Sequence, residues 1–139
     1  MPQHIAARTA LFALTLSLLG ACASQLPGSR IAARVVSLKS GSSDARGLEP
    51  VAGAHVAVEC PAKESREVGM TDADGTLRVD ADAAVGLDCT LNVAHSGHRP
   101  VKLAVSQVCV TQAGAECRTL DIRAVLQPEA SPTSAGATH

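Results

Sequence analysis

An all-β domain, folded as a single antiparallel β-sandwich of about seven strands, is what this sequence predicts, and two observations carry the expectation. Apolar residues recur at every second position over short stretches, which is the period of a half-buried strand. Clusters of turn-forming residues separate those stretches, at Gly41-Ser42-Ser43-Asp44, Asp72-Ala73-Asp74-Gly75 and Ser96-Gly97. Strands with one wet face must cover the other against a second sheet, and a sandwich is the simplest way to do so.

Taken in chain order, the first stretch is Ile31 to Leu38, where the Val35-Val36 pair favours a strand over a helix. Val56, Val58 and Cys60 then alternate with His55, Ala57 and Glu59. Leu87, Cys89, Leu91 and Val93 alternate with Asp88, Thr90 and Asn92, and Val101, Leu103 and Val105 with Lys102, Ala104 and Ser106. The last stretch sets Leu120, Ile122, Ala124 and Leu126 against Thr119, Asp121 and Arg123, with Val125 out of pattern. No internal repeat is present.

The chain has 139 residues, room for one domain with one modest core. Twelve Lys and Arg stand against thirteen Asp and Glu, for a net charge of −1. That balance excludes a nucleic-acid binder working through a basic face, because phosphate affinity needs clustered positive charge. There is no Trp, no Tyr and one Phe, Phe12.

Residues 1–21 read as an export signal. His4 and Arg8 form a weakly positive head, and Ala10 to Leu19 form an apolar stretch too short to span a bilayer, which takes about 20 helical residues. Leu19-Gly20-Ala21-Cys22 resembles a bacterial lipoprotein lipobox, in which the cysteine is acylated and the chain is cut before it. The resemblance implies lipidation at Cys22 and a membrane anchor, stable when more than one acyl chain is carried. Ala23 follows Cys22 in place of Asp, which by the same resemblance implies the outer membrane. Residues 22–29 are then the lipidated cysteine and its tether, 30–127 the folded unit, and 128–139 a tail too poor in apolar side chains to order.

Assigning Cys22 to lipid leaves Cys60, Cys89, Cys109 and Cys117, an even set in an exported chain where disulfides form. Four cysteines allow three connectivities. Cys60 and Cys89 share the inward phase of their strands, which suits a bridge across the core. Cys109 and Cys117 flank a seven-residue turn, Val110 to Glu116, and suit a local loop. Cys117 is out of phase with Leu120, so that loop requires a bulge or a loose turn. The rival, a four-cysteine zinc site, has no CxxC knuckle and needs thiolates in an oxidising compartment.

Three segments in order resemble carboxypeptidase regulatory-like domains. Gly47-Leu48-Glu49-Pro50-Val51-Ala52-Gly53-Ala54-His55-Val56-Ala57-Val58 is similar to the family's opening motif. Thr71-Asp72-Ala73-Asp74-Gly75 is similar to its T-D-x-x-G hairpin, and Gly86 to Val93 with Ser96-Gly97-His98 to a later strand and turn. The resemblance covers roughly residues 31–126 and implies a transthyretin-like sandwich of seven strands, related in shape to some starch-binding modules. Cys89 and His98 stand where the family often has aromatic rings, so the domain lacks the side chains that usually dominate core burial.

Candidate chemistry is sparse. Asp72-Ala73-Asp74-Gly75 suggests calcium, but the EF-hand register places Leu77 at the sixth position and Ala83 at the twelfth, where Gly and Glu are needed. A structural turn, with Gly75 at positive φ, is expected instead. His95-Ser96-Gly97-His98 supplies two imidazoles, short of the three or four ligands of a zinc site. Asp80 and Asp82 lie one strand period apart on what reads as a solvated face. No H-E-x-x-H, G-x-S-x-G or S-x-x-K is present, so no catalytic residue, metal or cofactor is assigned. Glycan binding would lack aromatic platforms for pyranose rings.

The expected function is a non-catalytic, lipid-anchored envelope protein, a structural or interaction module with an envelope protein or glycan as partner. The alternative is a ligand-binding lipoprotein for a glycan or divalent cation, using the turns at 72–75 and 95–98.

Overall fold

The computed structural model describes residues 28–39 and 45–130; the signal segment, Cys22 and residues 131–139 lie outside the described residues. The elements are β1 (Arg30–Leu38), a 3-10 turn (Ala45–Gly47), β2 (Leu48–Pro50), β3 (His55–Glu59), β4 (Arg66–Met70), β5 (Thr76–Asp80), β6 (Val85–Gly86) and β7 (Thr90–Ala94). They continue with β8 (His98–Arg99), β9 (Val101–Ala104), a one-turn helix α1 (Val105–Val108), β10 (Cys109–Ala113) and β11 (Glu116–Pro128). The protein is all-β, and its strands form two sheets. One follows the order β10-β11-β1-β2, with β5 also pairing β1 and β6 and β8 pairing β11; the other is β4-β3-β7-β9.

Strand phase follows the alternation in the sequence. On β1, Ile31, Ala33 and Val35 are buried, and on β11 so are Leu120, Ile122, Ala124 and Leu126. The smaller sheet contributes Val56, Val58, Leu91 and Val93 to the same core cluster. Val125, out of pattern in the sequence, is an apolar residue on the outward face. Val105 does not continue its strand: β9 ends at Ala104, and α1 buries Val105 while its amide donates to the Cys89 carbonyl.

Several expectations need correction. The fold is not purely antiparallel, because β1 and β11 pair in parallel from Arg30↔Thr119 to Ser37↔Leu126. A parallel neighbour needs a long crossover; here nearly the whole domain lies between the two strands. Among the described residues there are eleven strand segments rather than the expected seven, in part because the long strands take several short partners: β11 pairs β6 and β8 as well as β10, and β1 is flanked by two partners in succession. β5 pairs Arg30 to Arg34, and β2 pairs Val36 to Leu38.

The Asp72–Gly75 turn does not close a hairpin within one sheet. β4, before it, pairs with β3, and β5, after it, pairs with β1, so the turn carries the chain from one sheet to the other. The turn itself still closes locally, with the Asp72 amide on the Thr76 carbonyl at 2.8 Å.

The start of the folded unit also moves. Gly28 and Ser29, assigned to the tether, belong to the packed domain. Ser29 is fully buried; its hydroxyl donates to the Cys117 carbonyl and accepts from the Val85 amide at 2.8 Å. A Cβ on Gly28 would collide with the Ala81 backbone.

Cys60 is bonded to Cys89 and Cys109 to Cys117. Neither bridge crosses the core. The β3–β7 register runs to Glu59↔Thr90, so Cys60 and Cys89 are the next facing pair of the same sheet. The second bridge joins β10 to β11, whose register shifts twice, between Cys109 and Thr111 and between Thr111 and Gln112. Those shifts resolve the phase conflict between Cys117 and Leu120. The connection is a tight turn at Gly114-Ala115 rather than a seven-residue loop. Each sheet thus carries one internal staple, and neither bridge joins sheet to sheet.

Candidate functional site

The segments that carry the family resemblance meet in space. Thr71, the residue after β4, is buried, and its hydroxyl donates to the Val51 carbonyl at 2.6 Å while accepting from the Ala54 amide at 2.9 Å. Its backbone closes the same junction, the Thr71 amide donating to Ala54 and the Gly53 amide to Thr71. Gly75 sits at φ +71, and a Cβ there would stand 2.4 Å from the Val35 carbonyl and 3.0 Å from the Val51 amide. Gly75 therefore lets the turn lie against β1, and its carbonyl accepts from the Val35 amide at 2.8 Å. The residues of the first and second motifs form one interlocked junction.

At the same turn the Asp72 carboxylate is engaged by local donors. One carboxylate oxygen accepts from the amides of Asp74 and Thr76, each at 2.9 Å, and the other from the Thr76 hydroxyl at 2.8 Å. The hydrogen bonds from Thr76, backbone first, and then from Asp74 hold the Asp72 carboxyl below its ordinary value. Asp80 pairs with Arg30 at 3.4 Å on exposed strand surface, and Asp82 lies exposed beyond β5.

The His95–His98 turn does gather polar groups. The two Nδ1 atoms lie 3.1 Å apart, and the rings meet edge to face with centroids 5.1 Å apart. His98 Nδ1 also lies 3.1 Å from the Ser96 carbonyl, and Nε2 lies 2.9 Å from Ser37 Oγ. The Ser37 hydroxyl also lies 3.3 Å from the Leu38 carbonyl, so the direction of its contact with His98 follows the tautomer: with the proton on Nδ1 the ring accepts from Ser37 at Nε2, and with the proton on Nε2 the ring donates to Ser37, which donates to Leu38. The connectivity is that of a nucleophile, a base and an orienting group. Its placement is structural: Ser37 faces inward on β1 and is 8% exposed, and His98 satisfies its hydroxyl while tying β1 to β8. The sequence flagged both histidines and missed Ser37, which only the fold brings to them.

The pair opens onto a shallow cleft of about 560 Å³ that also includes Lys39 and Glu49, ion-paired at 3.5 Å. Among the described residues, no group of three or more His, Cys, Asp or Glu side chains is placed to hold a metal ion. No helix among them is long and apolar enough to cross a membrane. No family model and no curated protein matches the chain.

Proposed function

We propose that this chain is a lipid-anchored, non-catalytic protein of the bacterial cell envelope, a β-sandwich of the carboxypeptidase regulatory-like, transthyretin-like class that serves as a structural or interaction module. The observation that carries the reading is the junction at Thr71 and Gly75. The motif residues on which the resemblance rests are those that interlock, Thr71 with Val51 and Ala54, and Gly75 with Val35. Their chemistry is spent on holding two sheets in place rather than on a substrate.

Lipidation at Cys22 and outer-membrane residence rest on Leu19-Gly20-Ala21-Cys22 and Ala23. The pairing of all four remaining cysteines supports an oxidising compartment. Mass spectrometry of protein extracted from membranes tests the anchor. The expected product begins at an acylated Cys22, and a soluble product with an unmodified Cys22 overturns it. Cross-linking in intact cells tests the module reading: recurrent capture of one envelope protein supports it.

A second reading, divalent-cation binding, is favoured by one distance. His95 and His98 hold their Nδ1 atoms 3.1 Å apart, near the spacing of two imidazoles on a shared ion with bonds of about 2.0–2.1 Å. Calorimetry with Zn²⁺, on the parent chain and on His95→Ala, tests it; absence of heat at millimolar Zn²⁺ removes it. Asp72, whose carboxylate accepts three local hydrogen bonds at a different turn, is not among the ligands of this reading.

A further inference from the structure

The outward face of the larger sheet carries a feature with no structural task. Arg34 on β1 and Arg123 on β11 are direct partners in the parallel ladder. Neighbouring strands lie about 4.8 Å apart, so two guanidinium stems rise side by side from one row of the sheet. Like charges facing each other across strands are unfavourable. Arg123 has one carboxylate, Asp121, at 3.5 Å, two residues away on its own strand and exposed. Arg34 has no ion-pair or hydrogen-bond partner among the described residues.

Beside this pair the surface is concave and apolar. A recess of about 540 Å³ is lined by Val36, Leu48, Pro50 and Val125, with both arginines along its length. Leu48 and Val125 are two of the four large apolar side chains that stand exposed among the described residues, and both line this recess. Its volume is that of a small-molecule site. An inward-curving apolar surface receives a ligand rather than inserting into a bilayer. Asp74 also lines the recess, and its charge disfavours an anion placed towards the 72–75 turn.

We propose that this recess binds an amphipathic carboxylate. The aliphatic body lies over Val36, Leu48, Pro50 and Val125, and the carboxylate is received by the guanidinium groups of Arg34 and Arg123. An anion there relieves the repulsion between the two arginines and gains charge-assisted, fork-shaped hydrogen bonds. The apolar body contributes by leaving water. The inference stands apart from the envelope-module reading, since it uses neither Cys22 nor the His95–His98 turn.

The test is titration of the full chain with octanoate, octanol and acetate, followed by calorimetry and by methyl NMR. Octanoate is expected to bind saturably at one site, shifting the methyl resonances of Val36, Leu48 and Val125. Octanol and acetate, each lacking half of the recognition, are expected to bind at least about tenfold more weakly. Arg34→Gln is expected to weaken octanoate by about tenfold with an unchanged or raised melting temperature, since it removes a like-charge contact. Equal binding of octanol and octanoate, shifts confined to other methyls, or unchanged affinity in Arg34→Gln would each overturn the proposal. So would displacement of octanoate by an apolar peptide of much higher affinity, or binding to anionic vesicles that octanoate does not compete. If the variant does not fold, the parent chain's methyl shifts and the octanoate-to-octanol ratio decide the matter.

Discussion

Thr71 donates its hydroxyl to the carbonyl of Val51 at 2.6 Å, twenty residues away and buried. The same oxygen accepts the Ala54 amide, so one side chain satisfies two buried backbone groups of the loop between β2 and β3. Thr71→Val keeps the shape and strands both partners. A buried group left without its hydrogen bond costs about 1–3 kcal/mol, so the variant is expected to lose about 3 kcal/mol in urea unfolding. Thr71→Ser, which keeps the hydroxyl, is expected to lose less than half as much.

Two glycines with the same φ separate strain from crowding. Gly53 and Gly75 both sit at +71°, but a Cβ on Gly53 meets nothing within 4 Å, whereas one on Gly75 meets the Val35 carbonyl at 2.4 Å. Gly53→Ala is expected to cost about 1–2 kcal/mol, the strain of the left-handed backbone alone. Gly75→Ala is expected to cost at least about 2 kcal/mol more, because backbone on β1 must move as well. Equal melting temperatures for the two variants would show that the turn yields without loss.

Acid titration isolates Asp72. Its folded pKa lies below the ordinary 3.8, so the carboxylate's contribution to stability is present above that value and is lost as the pH falls through the folded pKa. Asp72→Asn has no such proton to take up. Between pH 5 and pH 2 the melting temperature of the parent chain is expected to fall more steeply than that of Asp72→Asn. Parallel acid limbs would contradict the linkage.

Reduction should be severe. Loop closure over separations of 29 and 8 residues corresponds to about 3.5 and about 2.5 kcal/mol of chain entropy. Net domain stabilities run to about 5–15 kcal/mol, and this core is built of Val, Leu, Ile, Ala and cystine with no aromatic ring. Full reduction is expected to unfold the domain near physiological temperature, seen as loss of β-type circular dichroism. Cys109→Ala/Cys117→Ala, which removes the shorter loop, is expected to be milder than Cys60→Ala/Cys89→Ala. A reduced protein melting cooperatively within a few degrees of the oxidised one would show that the aliphatic core suffices.

Much of the architecture was legible in local pattern. Alternation marked the inward residues of β3, β7 and β11, and the clash of phase between Cys117 and Leu120 announced the irregular β10–β11 pairing that the register displays. Direction was not legible: a period of two is the same in parallel and antiparallel strands, so Arg30↔Thr119 had no local signature. Nor was the division of β4 and β5 between sheets, since a turn sequence fixes the reversal and not the partners on either side. Ser29 looked like tether because one small polar residue has no pattern; its burial depends on Val85 and Cys117, far along the chain. Ser37 beside His98, and Arg34 beside Arg123, are likewise products of pairing rather than of spacing.

The parallel pairing of β1 and β11 has a mechanical consequence. The chain enters β1 beside Thr119 and leaves β11 past Leu126, where Ser37 ends the shared register, so entry and exit lie at opposite ends of the ladder. Tension applied through the two ends slides one strand along the other, and the hydrogen bonds between them carry the load together. An antiparallel pair pulled from one end would open like a zipper, one bond at a time. A chain held by its N-terminal side and drawn by its C-terminal side would thus find its strongest clamp where the two strands meet.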